Sequence, residues 1–336
     1  MIIESSAPTR VDLAGGTIDI WPLYLFHRGA MTVNFALSLL ASVRIETRDD
    51  GRIILESRDR QISFETAVDR IDEIAADKQL ELVSKMVHFF RPSQGFHLVA
   101  NSDAPAGAGI SGSSALAIAL IGALNRLVGN RYDQRKFITI AANIETTVIK
   151  VPAGFQDYYP AFYGSINCIN FRSDGIKREQ LPVNPDQVER RFVICYTGEP
   201  RNSGINNWDI YKRHIDGDAS LFEIFEHIRD AAVGMRTAVL ASDWAEVANI
   251  MRKAYPNRKR LAPGITTPFM DALVEKALSN GAEAAKVCGA GGGGCIAFLC
   301  ATERKAELEQ ALAAEEGVEI LNWKVAREGL VVRQTN

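Results

Sequence analysis

No stretch of this 336-residue chain stays apolar for the roughly 18–20 residues that a membrane-spanning helix needs. The opening MIIESSAPTRVDLAGG has no basic segment followed by an apolar core, so no secretory signal is expected and a cytoplasmic location is. Nor is one sign of charge in excess. The 38 Lys and Arg against 41 Asp and Glu give a net charge of −3, with both signs mixed along the chain. That leaves no basic field for nucleic acid or an anionic membrane, and points to a small-molecule partner. The five cysteines (Cys168, Cys195, Cys288, Cys295 and Cys300) are odd in number, sit among apolar neighbours and show no CxxC spacing. A disulfide framework or a zinc site is therefore disfavoured, and buried thiols are expected. His27, His88, His97 and His227 form no constellation. There is no internal repeat and no low-complexity block.

What is present is ordinary globular material, 47% hydrophobic and 24% charged, and long enough for two packed domains. Residues 31–47, 51–57 and 95–102 are rich in β-branched and apolar residues and predict strands. Helices are expected at 78–91, at 114–129 with Gly129 as C-cap, and through 137–149 with Asp133 capping. A strand follows at 164–171. The polar stretch 172–191 is the expected domain boundary, ahead of the strand RFVICYTG. Helical runs at 219–241, 243–256 and 267–280 precede the strand-like AAKVCGA and CIAFLCA, a helix near 302–314 and two short strands. The order is that of an α+β protein.

Four stretches can carry chemistry. PAGAGISGSSA (105–115) has three glycines and three serines ahead of an apolar helix. Glycines let backbone amides turn inward, and a helix start aims its own amides and positive dipole end at the same place. Ser111, Ser113 and Ser114 add hydroxyls able to meet phosphate or Mg²⁺. No Lys-Ser or Lys-Thr pair follows, so it is not a Walker A loop. A capped helix entry with a mobile joint is the bland alternative. KVCGAGGGGCIAF (286–298) places four consecutive glycines between apolar segments. Either another backbone or a ligand comes very close there, or the run is a tight hairpin. APTRVDLAGGTIDIW (7–21) sets Arg10, Asp12 and Asp19 around a Gly-Gly turn. Arg10 is either a solvated surface charge or a buried one that needs an anion. In NIETTVIKVPAGFQDYYPAFYGS (143–165), Glu145 is predicted on a helix, and Asp157 lies among Phe155, Tyr158 and Tyr159. Partial desolvation suits such an acid for base work; a helix-capping aspartate is the alternative.

In this order the stretches resemble the GHMP small-molecule kinases, through LAGGTID (13–19), DAPAGAG (103–109), GFQDYY (154–159), YTG (196–198) with Arg201, and KVCGAGGGG (286–294). Within the superfamily the likeness is nearest to sugar kinases acting on heptose 7-phosphate, with fucokinase-type domains close by. It implies an N-terminal domain over 1–180 resembling ribosomal protein S5 domain 2, a ferredoxin-like C-terminal domain over 190–336, and a site in the cleft between them. It also implies ATP and Mg²⁺ as cofactors, and a monomer or homodimer.

The resemblance assigns roles residue by residue. Gly107, Ala108, Gly109, Ser111, Gly112, Ser113 and Ser114 are implied as the phosphate loop. Ser113 or Ser114 is implied on Mg²⁺ with Glu145, and Gly291, Gly292 and Gly293 are implied beside the loop. Asp157 corresponds to the catalytic aspartate, Arg10 to its basic neighbour, and Asp19, with Gly16 and Thr17, to contacts with sugar hydroxyls. The chain departs from heptose-type members twice. They show GLGSSSA where it has GISGSSA (109–115), and Gly-Gly-Gly-Thr-Asp where it has GGTID (15–19). Trp21, Tyr24 and Phe26 are core residues or a stacking surface for a sugar. Arg201 and the Lys212–Arg213–His214 cluster are a solvated face or a second phosphate site. A mevalonate-type acceptor, a catalytically silent sugar or nucleotide sensor, and a decarboxylase of the same fold are the competing functions.

Overall fold

In the computed structural model, which describes residues 1–200 and 205–335, the chain builds two sheets with helices packed on and between them. The first half supplies β1 (Ile2–Ala14), β2 (Met31–Arg48), β3 (Arg52–Ser57) and β4 (Ile62–Ala67). Then come α1 (Glu81–Phe90), β5 (Gly95–Ser102), α2 (Gly112–Leu127), α3 (Phe137–Ile149) and α4 (Tyr158–Tyr163). A hairpin of β6 (Ile166–Arg172) and β7 (Gly175–Gln180) and the short α5 (Pro185–Glu189) complete it. The second half supplies β8 (Phe192–Tyr196), α6 (Ile205–Ile215), α7 (Ala219–Leu240), α8 (Trp244–Arg260) and α9 (Pro268–Ser279). It ends with β9 (Ala282–Val287), β10 (Cys295–Cys300), α10 (Lys305–Ala313), β11 (Glu319–Ile320) and β12 (Val331–Thr335).

The first sheet runs β12-β1-β2-β5-β3-β4, with β6 and β7 attached through β2. Strand β2 is long enough to serve two partners: Met31–Phe35 pairs with β6, and Ala41–Arg48 with β5. Among the described residues only β3 and β5 pair in parallel, and α1 lies within the crossover that parallel pairing requires. Helices α1, α2 and α3 cover one face, burying Leu120, Ile121, Val87 and Phe137 against Ile3, Ile45, Phe96 and Leu98.

The second sheet, β11-β8-β10-β9, is antiparallel and buried on both faces. Alternation along its strands sorts the side chains. Phe192, Ile194, Ala297 and Leu299 face α7 and α8; Val193, Cys195, Ile296 and Phe298 face α9 and α10. The α7–α8 layer also meets Val11, Leu13, Val33 and Phe35 of the first sheet, so the two halves share one core. Asp218, Asp243 and Thr267 start α7, α8 and α9 by accepting backbone amides, as good N-caps do.

The α+β, two-domain architecture is the expected one. The stretch 172–191 is not a plain connector, because it contains β7 and α5. The tail also departs from the expected 190–336 unit: β12 pairs with β1, from Ile2–Thr335 to Ser6–Val331, and so belongs to the first sheet. All five cysteines are buried. Among the described residues no helix is long and apolar enough to cross a membrane.

Candidate active site

Strand β1 sends Val11 and Leu13 into the inter-sheet core, so the period-two pleat turns Arg10 and Asp12 to the opposite face. There they line an open cleft of about 460 Å³, together with Gly16, Thr17, Asp19, Gly107, Ser111–Ser114, Glu145, Asp157 and Arg258. Residues from four separate parts of the sequence thus share one space. The reading of Arg10 as a solvated surface charge is wrong: its side chain is 3% exposed.

Arg10 donates from Nε and Nη2 to Asp157 Oδ1 at 2.8 and 2.6 Å, and from Nη1 to the Gly109 carbonyl at 3.1 Å. Its own amide donates to the Ile110 carbonyl, which ties β1 to the glycine–serine loop. Burial opposes the Arg10 charge, but Asp157 and Asp12 outweigh it and raise the guanidinium's pKa. Asp157 stands at the N-cap of α4 yet makes no capping hydrogen bond. The capping alternative therefore fails, and its carboxylate is held by Arg10 instead. Asp12 is buried, and burial alone pushes its pKa up. Lys286, at 2.9 Å, and Arg10, at 3.9 Å, reverse that and bring it to about 2.

Helix α2 opens at Ser111 without a side-chain cap, leaving the orphan amides of its first turn toward the cleft that Ser111–Ser114 line. Ser111 itself adopts a left-handed conformation, φ +65°, and its buried hydroxyl has no partner. Ser113 and Ser114 both donate to Glu145, the latter at 3.0 Å, and the Tyr158 hydroxyl donates to Glu145 Oε2 at 2.7 Å. Burial raises the Glu145 pKa against those three donors. The set is all oxygen with one carboxylate, which suits a hard cation that takes its remaining ligands from phosphate and water. Among the described residues no group of three His, Cys, Asp or Glu offers a metal site of its own.

Asp19 is buried over Gly154, where an added Cβ would stand 2.2 Å from Asp19 Oδ2. The Gln156 and Thr17 amides each donate to its carboxylate at 3.0 Å. Burial, then the charge of Asp157, push the Asp19 pKa up to about 7.

The glycine run behaves differently from expectation in detail. Gly289 and Ala290 line the cleft. Gly291 and Gly292 lie instead against the backbone of Gly264 and Ile265. Gly294, at φ +82°, touches the loop: a Cβ there would meet the Ala108 carbonyl oxygen at 2.7 Å, and Cys295 N donates to that oxygen at 2.7 Å. Arg258 of α8 was not foreseen. It reaches the cleft and donates to Thr17 Oγ1 and the Gly289 carbonyl, both at 2.5 Å. Its only sequence signal is a basic helix end, which elsewhere means a solvated face.

Other expectations fall away from the cleft. Tyr24 packs on Phe171 in the core, and Trp21 and Phe26 are exposed. Lys212 pairs with Asp216 and Arg213 with Asp218, so that cluster is committed locally. His214 is buried against His27, 2.7 Å between ring nitrogens, and His27 also meets Glu226 at 2.5 Å. Arg201 lies outside the described residues.

A cleft that gathers uncapped helix amides, paired hydroxyls and a clamped carboxylate has the groups that a small-molecule phosphotransferase needs. Comparison with known proteins narrows this class. Residues 80–165 match the GHMP kinases N terminal domain and residues 235–317 the GHMP kinases C terminal, together about half of the chain. The chain belongs to the GHMP kinases, whose phosphate donor is ATP. A D-glycero-alpha-D-manno-heptose 7-phosphate kinase from Campylobacter jejuni subsp. jejuni serotype O:2 is 26% identical, covering 98% of this chain and 98% of that protein. A mevalonate kinase from Thermococcus sibiricus is also 26% identical, with the same coverage of both. The crystal structure of a D-glycero-D-manno-heptose 1-phosphate kinase from Bacteroides thetaiotaomicron superposes with a TM-score of 0.77 at 23% identity, covering 99% of each chain.

Proposed function

We propose that this chain transfers the γ-phosphoryl group of ATP to a hydroxyl of a sugar or sugar phosphate of the heptose 7-phosphate kind. The observation that carries the reading is the Arg10–Asp157 pair, set in the same cleft as the uncapped start of α2. The Campylobacter relative, matched end to end, supports a sugar acceptor.

Phosphoryl transfer needs in-line positioning and charge stabilisation more than covalent chemistry. The backbone amides of 107–114 hold the β- and γ-phosphate oxygens, as helix starts do. Glu145 with Ser113 and Ser114 are the residues that would hold Mg²⁺, which when bound neutralises charge on the phosphate oxygens. Asp157 accepts the proton of the acceptor hydroxyl. Arg10 fixes the carboxylate in place and, through the Gly109 carbonyl, ties it to the phosphate loop. Asp19, Gly16 and Thr17 orient the remaining acceptor hydroxyls.

A coupled ADP-release assay over free and phosphorylated sugars, with heptose 7-phosphate and mevalonate included, tests the reading. Turnover is expected with a sugar and not with mevalonate. D157A should lower kcat by about 10²–10⁴-fold while still binding ATP. Near-normal turnover in D157A removes the proton-acceptor role, and ADP release with mevalonate alone removes the sugar.

A further inference from the structure

Three cationic side chains surround Asp12, of which Arg10 and Arg258 line the cleft, and two of the three are matched. Arg10 is held by Asp157, and Lys286 by Asp12 at 2.9 Å. Arg258 differs. Among the described residues no carboxylate lies within 4.0 Å of its guanidinium, and its two hydrogen bonds go to neutral oxygens, Thr17 Oγ1 and the Gly289 carbonyl. Its Nε is enclosed and has no partner at all. Burial lowers its pKa, partly offset by the more distant Asp12 and Asp19.

A guanidinium in such a place is costly unless an anion completes it. Its planar fork matches a phosphate in bidentate fashion, a geometry that a neutral hydroxyl cannot use in full. Position decides which phosphate. Arg258 sits with Thr17 and feels Asp12 and Asp19, the residues of the first turn. Glu145, Ser113 and Ser114, proposed above for the nucleotide's Mg²⁺, bond one another and not Arg258. We propose that Arg258 binds a phosphate monoester already present on the acceptor and so selects phosphorylated over free sugars. This rests on the kinase reading above.

The test compares D-glycero-D-manno-heptose with its 7-phosphate in the full-length chain, with ATP as donor. In R258A the ratio of kcat/KM for the phosphorylated over the free sugar should fall about ten- to a hundredfold, through KM for the sugar phosphate. KM for ATP should stay within about threefold, since the nucleotide side does not include Arg258. R258K keeps the charge without the fork and should recover part of the ratio. It also supplies the comparison with R258Q if R258A does not fold. An unchanged ratio overturns the inference while leaving the kinase reading standing, as does a fall confined to kcat for both sugars. A wild-type chain that phosphorylates neither sugar overturns both.

Discussion

At the scale of single residues, two acids a few positions apart are driven in opposite directions. Asp12 is brought to about 2 by Lys286 and Arg10 in spite of burial, whereas Asp19, without a cation in contact, is pushed up to about 7 by burial and Asp157. A carboxyl whose pKa is raised on folding favours the folded state fully only below its unfolded pKa near 3.8; that contribution is lost as pH rises through about 7. D19N should therefore raise Tm relative to wild type at pH 8 and not at pH 4, while raising KM for the acceptor. An equal Tm difference at both pH values would contradict the burial of a titrating Asp19. Ser111 offers a second case. Its φ of +65° is a conformation that glycine adopts without strain. S111G should stabilise the chain by about 0.5–1 kcal/mol in thermal unfolding. If KM for ATP rises in the same variant, the unpartnered hydroxyl belongs to the phosphate site.

At the scale of elements, the glycine–serine loop is held from outside its own helix. Arg10 N fixes Ile110, and Cys295 N and Gly294 press on Ala108. G294A would set a Cβ 2.7 Å from the Ala108 carbonyl oxygen, where only backbone movement relieves the contact. KM for ATP is expected to rise by tenfold or more, with stability lower by about 1–3 kcal/mol. G217A is the control: at φ +87° it shares the backbone strain but has nothing within 4 Å, so it should cost stability and leave KM for ATP alone. Much of this level was legible in the sequence. The apolar runs at 31–47 and 95–102 form strands, and the helix after the glycine–serine stretch begins where expected. The hairpin at 166–180 was half missed, since β7, GIKREQ, is polar and mostly surface-facing and so carries no core pattern.

At the scale of the whole molecule, the last strand returns to the first sheet. Leu330 and Val332 fill the space beside Gly122 of α2, and Arg126 of α2 bonds Gln334 at 2.6 Å. The helix whose start lines the cleft thus leans on β12. Deleting residues 331–336 leaves β1 as an open edge and α2 without that support. Tm should fall, and the Tm increase given by ATP should shrink with it. A truncated chain with an unchanged ATP shift would show that α2 is held by the first sheet alone.

Taken by itself, the sequence determined the α+β class and the stretches able to carry chemistry, because those depend on local spacing: a Gly-Gly turn after Arg10, serines at a helix start, an acid after a glycine turn; the kinase reading came from their resemblance to the GHMP kinases. It left Arg258 and Gly294 undistinguished from any other basic helix end or glycine. Only the tertiary structure chose between them, since whether a guanidinium lacks an anion, or a Cβ would strike the glycine–serine loop, depends on segments nearly two hundred residues apart or more.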